Sequence, residues 1–151
     1  MTEHLTYSHA VGPTDIPLLE ETISANLANT ASAFPHNLAL IDAEAGRQWT
    51  YEQFHQQVRN FATGLHRAGV VTGERVGIWA LNRWEWAMTQ YATAELGAIM
   101  VNINPSYRQH ELNYVLEQAG ITTLIASEEV PTANYPRMIA RAQQELGVLE
   151  R

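Results

Sequence analysis

The apolar positions of this chain change their period several times after residue 22, and each change marks a new element. Ile23, Leu27, Ala31 and Phe34 recur at intervals of three and four, the spacing that lines up side chains on one helix face. Thr22 stands where an N-cap hydroxyl is wanted, and Pro35 ends the run. Residues 37–42 and 48–50 then flank Ala43-Glu44-Ala45-Gly46-Arg47, which predicts a hairpin with Gly46 at the positive-φ position. Thr50 precedes Gln53 by three residues, the capping-box spacing. Phe54, Val58, Phe61, Ala62, Leu65 and Ala68 follow at helical intervals, so an amphipathic helix is predicted over residues 51–68, closed by Gly69.

From there the pattern repeats as strand then helix. Residues 75–81, Arg75-Val76-Gly77-Ile78-Trp79-Ala80-Leu81, form an apolar run without alternation, as expected of a strand covered on both faces. Asn82 is expected to cap a second helix that ends near Gly97, and residues 98–103 repeat the strand pattern. Ser106 with Gln109 repeats the capping-box spacing before Leu112, Val115, Leu116 and Ala119, with Gly120 as the stop. Residues 121–126 read as a third strand and 136–146 as a further helix. This alternation predicts an α/β fold: an open, mainly parallel sheet with covering helices and right-handed crossovers.

The chain therefore divides into an irregular arm over 1–21, a helix plus small hairpin over 22–50, and repeated α/β units over 51–151, together one partial domain. Two details make the sheet look unfinished. Trp84 and Trp86 are two positions apart, so on a helix they point about 200° from one another and one of them needs a partner other than this sheet. Residues 143–151 begin what reads as another strand and stop. Three strands leave apolar faces and edges exposed, and such an edge is a route to self-association.

Composition narrows the function. With 151 residues, 46% of them apolar, the chain can build a real core. Sixteen acidic against nine basic residues give a formal charge of -7, which opposes a nucleic-acid partner, since such binders concentrate Lys and Arg. There is no cysteine, which excludes disulfides, thiolate metal sites and a cysteine nucleophile. The first residues lack the basic and apolar regions of a signal peptide, and no apolar run approaches the ~20 residues of a transmembrane helix. A soluble, cytoplasmic protein is the expectation.

Candidate chemistry is sparse. Gly69, Gly73 and Gly77 precede a strand, whereas the dinucleotide fingerprint places its glycines between strand end and helix start. No phosphate-loop sequence is present. His55 and His66 share a helix face but lie three turns, ~16 Å, apart, too far for one metal ion, and the remaining histidines are scattered. No nucleophile elbow follows any strand. Glu111 and Glu117 are about 120° apart on their helix and do not form an acid/base pair. Asn82, Tyr107 and Arg108 lie after strands, where ligands of doubly wound sheets bind. Against that, Asn82 reads equally as an N-cap and Arg108 as a first-turn surface residue, the commoner uses of such positions. Trp49 and Trp79 fall in strands and are expected to serve the core.

Several segments together resemble a known family. These are Thr50-Tyr51-Glu52-Gln53-Phe54, Gly73-Glu74-Arg75-Val76-Gly77-Ile78-Trp79-Ala80-Leu81-Asn82, Glu85-Trp86, and Gly97-Ala98-Ile99-Met100-Val101-Asn102-Ile103-Asn104-Pro105-Ser106-Tyr107-Arg108 with Glu111-Leu112. In order and spacing they resemble the N-terminal region of acyl-CoA synthetases of the AMP-binding, adenylate-forming family, over residues 7–127. The opening Tyr7-Ser8-His9-Ala10, with Pro17-Leu18-Leu19 and Thr22-Ile23, is similar to the medium- and long-chain fatty-acyl subgroup.

The resemblance implies an incomplete portion of that enzyme's N-terminal domain. It implies a ligase whose full-length form uses ATP, Mg and coenzyme A with a fatty acid or other carboxylic acid. The carboxylate attacks the α-phosphate to give acyl-adenylate and pyrophosphate, and the thiol of coenzyme A then displaces AMP. The family's Ser/Thr/Gly-rich phosphate loop, nucleotide-binding Asp and Arg, and C-terminal-domain lysine match no position here. No residue of this chain is therefore assigned a catalytic, cofactor-binding or metal role, and the chain alone is expected to be inactive. The alternatives are a free-standing, non-catalytic binding or regulatory module, and a small doubly wound enzyme acting through Asn82, Tyr107 and Arg108.

Overall fold

The computed structural model describes residues 10–13, 15–128 and 133–149. The described part of the predicted arm has no regular element, and Leu18 and Leu19 stand in solvent at 91% and 77% exposure. Residues 1–9 and 14 of that arm lie outside the described residues. Helix α1 (Ile23–Ala33) starts where Thr22 Oγ1 accepts the Ala25 amide at 3.1 Å. Its stripe is narrower than the sequence predicts: Leu27 and Ala31 are buried, but Ile23 and Phe34 at its two ends are exposed. The buried pair faces α2 (Tyr51–Arg67) and α3 (Glu85–Leu96), the helices that α1 packs against.

Strands β1 (Leu38–Asp42) and β2 (Arg47–Thr50) form the predicted antiparallel hairpin, with Asp42 opposite Arg47. Gly46 turns the chain at φ 64°, a conformation that costs a residue with a Cβ steric energy. The capping box of α2 is complete: Thr50 Oγ1 accepts the Gln53 amide at 3.3 Å, and Gln53 Oε1 accepts the Thr50 amide at 3.0 Å. Phe54, Val58, Ala62 and Leu65 bury one face of the helix, with Phe54, Val58 and Leu65 each contributing roughly 1.5–3 kcal/mol of apolar transfer free energy.

The main sheet is parallel, in the order β4 (Ile99–Asn102), β3 (Arg75–Trp79), β5 (Thr123–Ala126). Central β3 is buried on both faces, which is why its sequence shows no alternation. Val76 joins Leu27, Phe54, Val58, Met88 and Ala92 in a core under α1, α2 and α3. Trp79, three positions on and hence on the opposite face, joins Ile103, Leu112, Leu116, Ile121 and Ala142 under α4 (Gln109–Ala119) and α5 (Tyr135–Leu146). Among the described residues no further strand pairs with the outer edges of β4 or β5.

Three sequence expectations fail locally. Asn82 is not the cap of α3: the helix begins at Glu85, with Trp84 at the cap position and no side-chain cap bond. The Trp86 indole donates to the Leu81 carbonyl at 3.0 Å, and Trp84 packs on Trp49 at 5.1 Å between ring centroids. These two contacts fix where the first turn closes, and they answer the two-tryptophan puzzle: Trp84 turns to the hairpin. The predicted Ser106–Gln109 box is displaced as well. Asn104 Oδ1 accepts the Ser106 amide at 2.9 Å, so Ser106 belongs to an Asx turn, and Arg108 takes the cap position with its amide donating to Glu111 Oε2 at 3.0 Å. Finally, residues 143–146 complete α5 instead of starting a strand. Gly147 ends the helix and Leu149 folds back into the core at 8% exposure, while residues 150–151 lie outside the described part.

Candidate functional site

Chain order around β3 sets up a crevice. From β3 the chain passes through α3 to β4 on one side, then crosses through α4 to β5 on the other. Helix α3 follows β3 on one face of the sheet and α5 follows β5 on the other, so the C-terminal ends of β3 and β5 flank the topological switch point where open α/β sheets bind ligands. A cavity of about 470 Å³ opens there, bounded by Ile78, Arg83, Glu85, Ile125 and Ser127. A second cavity, about 570 Å³, lies between the ends of β3 and β4 and is bounded by Asn82, Trp86, Asn102, Asn104 and Pro105.

The polar side of the first cavity is made by Ser127, Glu128 and one ion pair. Arg83 grips Glu85 with two parallel bonds, Nε to Oε2 at 2.7 Å and Nη2 to Oε1 at 2.6 Å, and its Nη1 donates to Ser127 Oγ at 3.1 Å. Burial pushes the Glu85 carboxyl up, but the Arg83 hydrogen bond, its own backbone and the charges of Arg83 and Arg47 outweigh this and hold it below its ordinary range. The Glu85 hydrogen bond correspondingly raises Arg83, against the smaller effect of its own burial. At 43% and 30% side-chain exposure the pair is largely solvated, so its contribution to stability is about 1 kcal/mol or less. A carboxylate chelated in this way is a poor general base.

The second cavity has no charged side chain in its lining: three asparagines and one indole share it with Ala80, Ile103 and Pro105. Of the three residues singled out in the sequence, only Asn82 lines it. Tyr107 packs against the core beneath α4 and α5, and Arg108 is held by its backbone at the start of α4, so neither lines a cavity described above. Beneath the loop after β4, Trp79 and Tyr135 stack face to face, 3.5 Å between centroids and 4° from parallel. Trp79 Nε1 donates to the Asn104 carbonyl at 3.0 Å and Tyr135 Oη to the Pro105 carbonyl at 2.6 Å. The Arg83–Ser127 and Tyr135–Pro105 contacts carry no local motif, since they join residues 44 and 30 positions apart.

The described histidines line neither cavity, and among the described residues no three His, Asp or Glu side chains gather to hold a metal ion. Among the described residues no helix is long and apolar enough to cross a membrane.

Comparison with known proteins extends this geometry. A family model described as AMP-binding enzyme matches residues 27–150. YngI of Bacillus subtilis (strain 168) is 37% identical over 129 residues, 85% of this chain and 24% of YngI. The human mitochondrial medium-chain acyl-CoA ligase ACSF2 is 32% identical over 139 residues, 92% of this chain and 23% of the ligase. Among solved structures, the inhibitor-bound N-terminal domain of FACL13 from Mycobacterium tuberculosis matches with a TM-score of 0.76 at 23% identity, over 85% of this chain and 32% of that one. The last comparison shows the shared fold. The chain spans about a quarter of the length of the relatives it matches.

Proposed function

Because the chain belongs to the AMP-binding enzyme family, we propose that it forms the N-terminal part of a fatty-acid:CoA ligase, an enzyme that makes an acyl-adenylate from a carboxylic acid and ATP and then passes the acyl group to coenzyme A. In the first step a carboxylate oxygen attacks the α-phosphorus and pyrophosphate leaves. In the second the thiol sulfur attacks the acyl carbon and AMP leaves. The observation that carries the reading is the family match along residues 27–150, on a chain whose relative ACSF2 is named a medium-chain acyl-CoA ligase.

Within that enzyme the role of this segment is to supply a scaffold and one wall of the site, with the reacting groups contributed by the longer polypeptide. The residues at the sheet's C-terminal ends support this division. Charge develops on phosphate oxygens during adenylate formation, and its stabilisation needs cationic donors aimed at them. The guanidinium that reaches the switch-point cavity, Arg83, has two of its edges committed to Glu85 and Ser127. Two carboxylates border that cavity, Glu128 and Glu85, and Glu85 is held by that same arginine; with its cation and one of its carboxylates committed to each other, the set does not suit Mg with a triphosphate.

The test is to express the 151-residue chain and the longer polypeptide encoded in the same reading frame, and to assay each for ATP- and CoA-dependent thioester formation from medium- and long-chain fatty acids. The longer polypeptide is expected to release AMP and pyrophosphate and form acyl-CoA, and the 151-residue chain to form none. Thioester from the short chain would refute the division of labour. A stop codon directly after Arg151, or an inactive longer polypeptide, would refute the ligase and leave a free-standing module.

A further inference from the structure

The loop between β4 and α4 carries its own fastening. Its turn is built on Asn104, whose side chain accepts the Ser106 amide and whose carbonyl accepts the Tyr107 amide at 3.1 Å. Ile103, just before it, still donates its amide to Ile78 of β3 at 3.0 Å, so the loop departs from the sheet at Asn104. At that point two consecutive carbonyls leave the ladder, and each is met by an aromatic side chain from elsewhere in the sequence. Asn104 is held by Trp79 and Pro105 by Tyr135, 25 and 30 residues away.

The two rings are fully buried and lie flat on one another, so neither donor can move without the other. Tyr135 is itself anchored. It is the first residue of α5, whose Asn134 cap accepts the Arg137 amide at 3.0 Å, and α5 is joined to α4 where Gln109 Nε2 donates to the Met138 carbonyl at 3.0 Å. Burial raises the Tyr135 phenol, opposed by the nearby charge of Arg108, so the hydroxyl remains a donor at neutral pH. A phenylalanine would fill the same volume. The hydroxyl of Tyr135 is used on a loop carbonyl, and the residues bearing the two gripped carbonyls, Asn104 and Pro105, form one wall of the cavity shared with Asn82 and Trp86.

We propose that Tyr135, held flat against Trp79, is a positioning residue: it sets the Asn104–Pro105 wall of the cavity at the ends of β3 and β4, and thereby substrate binding there. This rests on the ligase reading above for the identity of the substrates, and on the geometry alone for the loop.

Two measurements on Tyr135→Phe decide it, because the substitution keeps the stacked ring and removes one donor. In the 151-residue chain, amide hydrogen exchange at Ser106 and Tyr107 is expected to accelerate roughly tenfold, the scale of one neutral hydrogen bond, with Leu116 in α4 unchanged. Trp79→Phe, which removes the other donor, is expected to do the same and serves if the first variant folds poorly. In the longer polypeptide, Tyr135→Phe is expected to raise the KM of the acid, ATP or CoA roughly three- to tenfold with kcat changed less than about twofold, the pattern of lost binding and not of lost chemistry. Unchanged exchange at Ser106 and Tyr107 in both variants overturns the proposal. So does faster exchange with all three KM values unaltered, which would make the fastening purely structural. A wild-type longer polypeptide without ligase activity removes the ligase reading, and the exchange result then decides the loop fastening by itself.

Discussion

Replacing Glu74 by alanine removes the side chain that ties the entrance of β3 to that of β5. Glu74 Oε1 accepts from Thr122 Oγ1 at 2.6 Å and from Thr123 Oγ1 at 2.8 Å, across 48 and 49 residues of sequence, while Oε2 accepts the Val71 amide at 3.1 Å. Hydrogen bonds to an ionised group contribute about 1.5–3 kcal/mol each, more than neutral ones. Water replaces the carboxylate at the Val71 amide, because Val71 is exposed, so that bond adds little. Thr123 is 5% exposed, and water replaces its lost acceptor poorly. The expected cost of Glu74→Ala is therefore about 2–4 kcal/mol, a large share of the roughly 5–15 kcal/mol that stabilises a domain. Glu74→Gln keeps a neutral acceptor and should cost about half as much. Urea unfolding of the 151-residue chain, fitted with midpoint and slope free, supplies the value. A double-mutant cycle with Thr123→Val isolates the cross-strand contact, with an expected coupling of about 1–2 kcal/mol. A cost for Glu74→Ala below about 0.5 kcal/mol, or strict additivity with Thr123→Val, would refute the assignment, since a contact that joins two strands must appear as coupling.

Two further predictions use other parts of the molecule. A Cβ built on Gly77 already lies 3.1 Å from Ile103 Cδ1, Ile121 Cγ2 and Leu124 Cδ1, so Gly77→Val overpacks the α4/α5 side of the sheet by about 1–3 kcal/mol. Thermal unfolding should show a lower Tm that Ile103→Val partly restores, and a Gly77→Val protein as stable as the parent counts against this packing. For Glu85 the sign follows from its lowered pKa: the unfolded chain binds the proton more readily, so the contribution of the Arg83 pair is present above the ordinary carboxylate range and is lost as pH falls through the depressed folded value. Between about pH 6 and pH 3 the parent should lose up to about 1 kcal/mol more stability than Glu85→Gln. Parallel pH profiles for the two proteins would sink this reading.

Much of the fold is legible because it follows local rules. The Thr22 and Thr50 caps, the Gly46 turn, the four-residue rhythm of α2 and the unbroken apolar run of β3 each need information from a window of a few residues. The parallel sheet follows from the alternation of those elements. What the sequence does not disclose is strand order: β5 lies beside β3 and not beside β4, and with it come the switch-point cavity and the meeting of Arg83 with Ser127.

The local misreadings in the loops after β3 and β4 share a cause and a location. Asn82 and Ser106 have the right chemistry and spacing for caps, yet both fall at the C-terminal ends of the sheet, where long-range partners compete with local ones. Trp49 captures Trp84, and the start of α3 moves to Glu85. Trp79 and Tyr135 grip Asn104 and Pro105, and the start of α4 moves to Gln109. A cap contributes about 1 kcal/mol. Burying two stacked rings with both polar atoms satisfied outweighs it, at roughly 1.5–3 kcal/mol per side chain. At the opposite end of the sheet the same local rules succeed: Gly120 ends α4 at φ 62° as its sequence predicts. Local rules thus fail in the loops after β3 and β4, at the end where open α/β sheets bind their ligands, and they fail because side chains distant in sequence have been recruited to shape those loops. A loop whose position depends on Tyr135, 30 residues downstream of the Pro105 carbonyl it holds, is specified by tertiary structure. The fastening of Asn104 and Pro105 is for that reason the feature of this domain best placed to matter for binding.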